Sequence, residues 1–167
     1  KNKNKDVALV VSDLPCAGAA VFTTNKFQAA PVLVSKETLA QNNDKLYAVV
    51  TNSGCANAVT GAQGIVDAKK MRSVMDELVK HPLSALTMST GVIGQNLPMD
   101  KIESGIRDAY AHLSAEHEDG WMSAAEAFMT TDTFPKLRSG EFDLQGSKFR
   151  MAGIAKGAGM IHPNMAT

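Results

Sequence analysis

The chain has 167 residues, with 17 basic and 17 acidic side chains that cancel to a formal net charge of zero. That length is enough for one domain with a buried core, and the charge balance gives no electrostatic reason to expect nucleic acid or a membrane surface as partner. No apolar run approaches the ~18 residues a bilayer-spanning helix needs.

In chain order, the opening "KNKNKD" is a solvated basic start without an initiator Met. Both a removed targeting peptide and a longer missing segment remain open readings there. "VALVVS" (7–12), "AAVFTT" (19–24), "PVLVS" (31–35) and "LYAVVTN" (46–52) are rich in β-branched residues and bounded by Pro, Gly and Asn. They predict four strands. "SGCANAVTGAQG" (53–64) predicts a loop, since three glycines in twelve residues disfavour a helix interior. A helix follows, with Ile65, Ala68, Met71, Met75, Leu78 and Val79 at helical spacing and Asp67, Lys69, Lys70, Asp76 and Glu77 mostly on other faces. Pro82 ends it. "ALTMST" (85–90) predicts a strand. Asp100 predicts the cap of another helix, with Glu103 as capping-box partner and Ile102, Ile106, Ala109 and Leu113 as its apolar stripe. A further helix is expected over about 120–129, with Trp121, Ala124, Ala125 and Phe128 facing inward. "EFDL" and "KFRMAGIAKG", separated by "QGS", predict a β-hairpin. This order predicts a single α/β or α+β domain in which helices pack on sheet.

Several stretches bear on chemistry. Cys16 and Cys55 are too few for a disulfide framework and read as free thiols of a reducing compartment; Cys55, inside "TNSGCANAVTG", is a minor nucleophile candidate. In "STGVIGQ" a strand runs into glycine, which exposes backbone N–H groups able to receive a developing oxyanion. A plain turn needing glycine explains the same letters. "KGAGMIHPNMAT" is not a phosphate loop, because its lysine precedes the glycines. Ser53 lacks the glycine spacing of a nucleophile elbow. His112 and His117 have a spacing that would suit a metal but no second ligand cluster, so no metal site is expected. His162 beside Pro163 reads as a surface residue, with a general base as the alternative. "TTDT" (130–133) reads as a helix-ending turn or as a holder for the polar head of a small substrate.

Taken together, "VFTTNKFQAAPV", "TNSGCANAVTG", "STGVIGQNLPMDKI", "MTTDTFPK" and "KGAGMIHPNMAT" occur in the order and at roughly the spacings of the ornithine acetyltransferase family, which the chain resembles over almost its whole length. Five linked motifs are far more specific than any one of them. The resemblance implies a layered sandwich of sheets and helices of the DmpA type, Ntn-hydrolase-like. It implies a precursor that cuts itself between Ala166 and Thr167 into an α chain, to which residues 1–167 correspond, and a β chain. The expected activity is transfer of acetyl from N-acetylornithine to glutamate in arginine biosynthesis, through an acetyl-enzyme on Thr167. An N-terminal threonine carries its own base, the α-amine, which cleavage frees. The resemblance makes Thr90 and Gly91 the oxyanion hole. It makes Thr130 (or Thr131, if the match is off by one) and Lys156 substrate-binding residues alongside Thr167. It implies no cofactor, although acetyl-CoA is an alternative donor in some members. Its expected partner is the β chain, in a heterotetramer of two α and two β chains. The site is expected in the mitochondrial matrix for a fungal protein and in the bacterial cytoplasm otherwise, and the wording of 15–32 is closer to the fungal form. A hydrolase or aminopeptidase on the same scaffold is the alternative activity.

Overall fold

The computed structural model describes residues 5–113 and 118–160. Its elements run β1 (Val7–Cys16), α1 (Ala30–Gln41), β2 (Leu46–Cys55), α2 (Gly61–Val79), β3 (Ala85–Val92), α3 (Met99–Ala111), α4 (Glu118–Ala127), β4 (Lys136–Leu144) and β5 (Ser147–Ala155). The first three strands form one sheet in the order β1-β2-β3, with β1 antiparallel and β3 parallel to the central β2. The parallel pair needs a crossover, and α2 supplies it.

The core follows from the two-residue period of the strands. Val7, Leu9 and Val11 of β1 join Ala48 and Val50 of β2 and Ala85 of β3 on one face. Met71, Val74 and Met75 of α2 and Ile102 and Ile106 of α3 cover them. Ala8 points the other way and meets Ala124 and Ala127 of α4, where Phe128 and Ile154 close the contact. The result is helices, sheet and helix in layers. Gly105 lets α3 approach closely, since a Cβ there would press on Val7. The hairpin β4–β5 is antiparallel with Phe142 opposite Phe149 and turns at Gln145 and Gly146, both at positive φ.

Several expectations are corrected. "PVLVS" is not a strand but the start of α1, with Pro31 in its first turn, where proline is preorganised. Pro31, Val34, Ser35 and Thr38 are its buried stripe, a helical spacing visible only when the window extends past Ser35. "AAVFTT" forms no strand, and Val21 is 84% exposed. Local side chains satisfy the backbone there: the Asn25 N–H donates to Thr23 Oγ1 at 3.1 Å, and the Phe27 N–H donates to Asn25 Oδ1 at 2.9 Å. Asp100 is not the cap of α3; the N-cap is Pro98, and Asp100 lies in the first turn, where its charge suits the helix dipole. Trp121 is exposed rather than inward, leaving the buried face of α4 to alanines.

Two polar residues organise the sheet. Asp76, expected on an outer face, accepts from the N–H groups of Leu83, Ser84 and Ala85 at 2.9, 3.0 and 3.1 Å and so sets the start of β3. Ser35 of α1 donates its hydroxyl to the Thr87 carbonyl at 2.8 Å and accepts from the Thr87 N–H at 3.0 Å. A helix side chain thereby stands in for a neighbouring strand along the edge of β3.

Candidate active site

The parallel strands β2 and β3 end side by side, with Ser53 opposite Thr90, Gly54 opposite Gly91 and Cys55 opposite Val92. Ser89 Oγ donates to Asn52 Oδ1 at 2.6 Å, and Asn52 Nδ2 donates to the Cys55 carbonyl at 2.9 Å, which ties the two ends together. Gly91 sits at φ +134°, and a Cβ there would strike the Gly54 backbone. Both its conformation and its neighbour therefore require glycine. Cys55 is a free thiol, as expected, and packs against the core as a small hydrophobe does.

At this edge of the sheet lies a cavity of about 450 Å³ lined by Asp6, Gly54, Gly91, Val92, Met129, Thr130, Thr131 and Met160. It brings the end of β3 against the segment that leaves α4. Gly91 and Thr130, far apart in sequence, line one space, and the neighbouring Thr131 lines it too. Thr90 precedes Gly91 on β3 and, like Lys156, is not among the lining residues. Thr130 Oγ1 is buried and has no hydrogen-bond partner among the described residues. A buried hydroxyl without a partner is costly, and this one belongs to a residue that lines the cavity.

Just behind Thr130 is a carboxylate that the sequence reading treated only as part of a polar cluster. The Asp132 side chain is 2% exposed and lies between two lysines, with Lys156 Nζ 3.0 Å from Oδ2 and Lys136 Nζ 3.0 Å from Oδ1. The Thr130 N–H donates to Oδ2 at 3.1 Å, and the Gly157 N–H donates to Oδ1. Burial by itself pushes the Asp132 carboxyl up. The bonds from Lys156, the Thr130 N–H, Lys136 and the Gly157 N–H outweigh it and hold the group well below the usual carboxylate range. One negative charge against two positive ones leaves this knot net cationic, which suits an anion nearby. Lys156, expected as a substrate-binding cation, is ion-paired with Asp132 in this structure. Gly157 has its own reason to be glycine, since a Cβ would run into Asp132 Oδ1.

Thr167, Ala166 and His162 lie outside the described residues, as does His117 of the metal reading. His112 Nδ1 lies 2.8 Å from the Asp108 carbonyl on exposed α3. Among the described residues no group of three or more His, Cys, Asp or Glu comes together in a way that would hold a metal, and no helix is long and apolar enough to cross a membrane.

The profile of the ArgJ family matches residues 1–167. The chain belongs to the ArgJ family. It is 56% identical over 172 residues to the "Arginine biosynthesis bifunctional protein ArgJ, mitochondrial" of Sordaria macrospora, covering 100% of this chain. It is 53% identical over 168 residues to the protein of the same name from Schizosaccharomyces japonicus. The chain spans 36% of the length of the Sordaria relative. The crystal structure of ArgJ from Bacillus halodurans superposes with a TM-score of 0.88 at 44% identity, over 98% of this chain and 84% of that one. The ornithine acetyltransferase of Mycobacterium tuberculosis complexed with ornithine gives 0.84 at 34% identity, over 95% of this chain and 83% of that one. The layered, Ntn-hydrolase-like α/β class expected from the motifs is the ArgJ fold observed here.

Proposed function

We propose that residues 1–167 form the α part of a self-processed acetyltransferase of arginine biosynthesis, which moves acetyl from N-acetylornithine to glutamate through Thr167. The observation that carries the reading is the cavity shared by Gly91 and Thr130, at the meeting point of two of the family's motifs.

In this reading the Thr167 hydroxyl attacks the Ala166 carbonyl, the peptide nitrogen leaves, and water opens the ester. The products are an Ala166 carboxylate and a free Thr167 amine. That amine, with an ordinary pKa of roughly 7.7–8.0 for a chain terminus, then takes the proton as the hydroxyl attacks the acetyl carbonyl. The oxyanion of each tetrahedral intermediate is held by the Gly91 N–H and the Thr90 hydroxyl. Ornithine leaves with the proton, and the glutamate amine takes the acetyl group from Thr167. Thr130 and the Lys156 cation hold the polar head of the amino acid. The remaining catalytic groups come from the β chain of the same precursor, in an assembly of two α and two β chains. The fungal relatives, named as mitochondrial, support a mitochondrial location, and the matrix is the compartment of this reading.

The test uses the full-length precursor. Intact mass is expected to show two chains summing to the precursor plus one water, and a single uncut chain for Thr167→Ala. With N-acetylornithine, ornithine release is expected to depend on glutamate, and acetyl-CoA is assayed as a second donor. A wild type that stays whole yet turns over, or that releases ornithine equally fast without glutamate, removes the transferase assignment; the second result would favour a hydrolase.

A further inference from the structure

Asp132 is the most deeply held ionised group near the cavity, and the reaction described above gives it no part. Its two oxygens accept from four donors: Lys136 and the Gly157 N–H on Oδ1, and Lys156 and the Thr130 N–H on Oδ2. These donors come from three places, namely the exit of α4, the start of β4 and the end of β5. Among the described residues, no other side chain is hydrogen-bonded to all three. Lys156 and the Thr130 N–H share a single oxygen, so the ammonium is set beside the backbone of a cavity-lining residue.

We infer that Asp132 is the positioning residue of this site: it holds the Lys156 ammonium beside Thr130 so that the substrate's carboxylate meets a cation already in place. The inference rests on the acetyl-transfer reading for the identity of that substrate, but its geometric part does not. An unheld lysine loses a flexible side chain's freedom each time it meets an anion. Asp132 removes that freedom beforehand, and Lys136 keeps the knot net cationic although Lys156 is paired. An asparagine cannot replace the aspartate, because all four neighbours are donors and one end of an amide is a donor too. Asp132→Asn therefore removes the charge that pairs Lys156 and sets an amide NH2 against two donors whichever way it turns, so that the ammonium is held less firmly while the side-chain volume changes little.

The experiment uses the full-length enzyme and two readouts. The first is reductive methylation of Lys156, followed by peptide mass spectrometry in wild type, Asp132→Asn and Gly157→Ala. Gly157→Ala displaces the carboxylate from the other side, because its Cβ meets Oδ1. Labelling of Lys156 is expected to speed up about tenfold in both variants, as for a side chain released from an ion pair that holds and partly buries it. The second is steady-state kinetics. KM for glutamate is expected to rise about tenfold with kcat nearly unchanged, the pattern of lost ground-state binding. In a Lys156→Met background, Asp132→Asn is expected to add nothing further, because it acts through that lysine. Unchanged Lys156 labelling in both variants, or fully additive KM effects in the double variant, overturns the inference. Faster labelling in an enzyme that neither binds nor turns over glutamate would support the placement of Lys156 and instead sink the acetyl-transfer reading.

Discussion

At Thr130 a single atom separates a structural role from a binding one. Its hydroxyl is buried without a partner among the described residues, so it adds nothing there to the stability of the fold. Thr130→Val is expected to leave the unfolding temperature unchanged or raise it. The same change is expected to raise KM about tenfold, equivalent to one lost hydrogen bond of ~1.4 kcal/mol. Thermal unfolding and substrate titration of the full-length enzyme check the two halves separately, and a clear loss of stability would mean that the hydroxyl serves the fold. Gly91 is the opposite case. Gly91→Ala places a Cβ against the Gly54 backbone at a φ that side chains avoid. Because the residue also carries the proposed oxyanion N–H, transfer is expected to fall on the order of 10²–10³-fold, read as the rate of acetylornithine turnover. "STG" was legible as such a turn, whereas the reason for its glycine was not, because Gly54 lies on another strand.

At the level of elements, α1 shows how short apolar windows mislead. "PVLVS" has strand composition, and only Thr38, a turn further on, reveals the helical stripe. What holds α1 in place is tertiary: Ser35 bonds both backbone groups of Thr87. Ser35→Ala leaves that N–H and carbonyl buried and unpaired, and is expected to cost about 1–3 kcal/mol in denaturant unfolding. A loss within error would show that water or a shifted strand repairs the edge. By contrast β1, β2, α2, β3 and the hairpin all appear near the expected places. Their periodicities are long enough to outweigh local composition.

For the molecule as a whole, acid sensitivity follows from the Asp132 knot. A carboxyl whose folded pKa is depressed binds fewer protons folded than unfolded near pH 4. Its stabilisation is therefore present above the ordinary carboxylate pKa of about 3.9 and is lost as pH falls below it towards the folded value. Wild type is expected to lose stability between about pH 5 and pH 2 more steeply than Asp132→Asn, as measured by unfolding midpoints across that range. Equal slopes would mean that the four donors do not favour the charged form.

The order of elements from β2 onward, the zero net charge and the family were decided by sequence alone, because periodicity, composition and linked motifs are written along the chain. The assembly of the site was decided only by the tertiary structure. Gly54 reaches Gly91 through parallel register, Thr130 reaches the cavity by the exit of α4, and Asp132 joins local donors to Lys156 and Gly157 at the far end of the hairpin. Hydrogen bonds and steric limits act over a few ångströms in space, so residues distant along the chain acquire those roles only once the layers have packed.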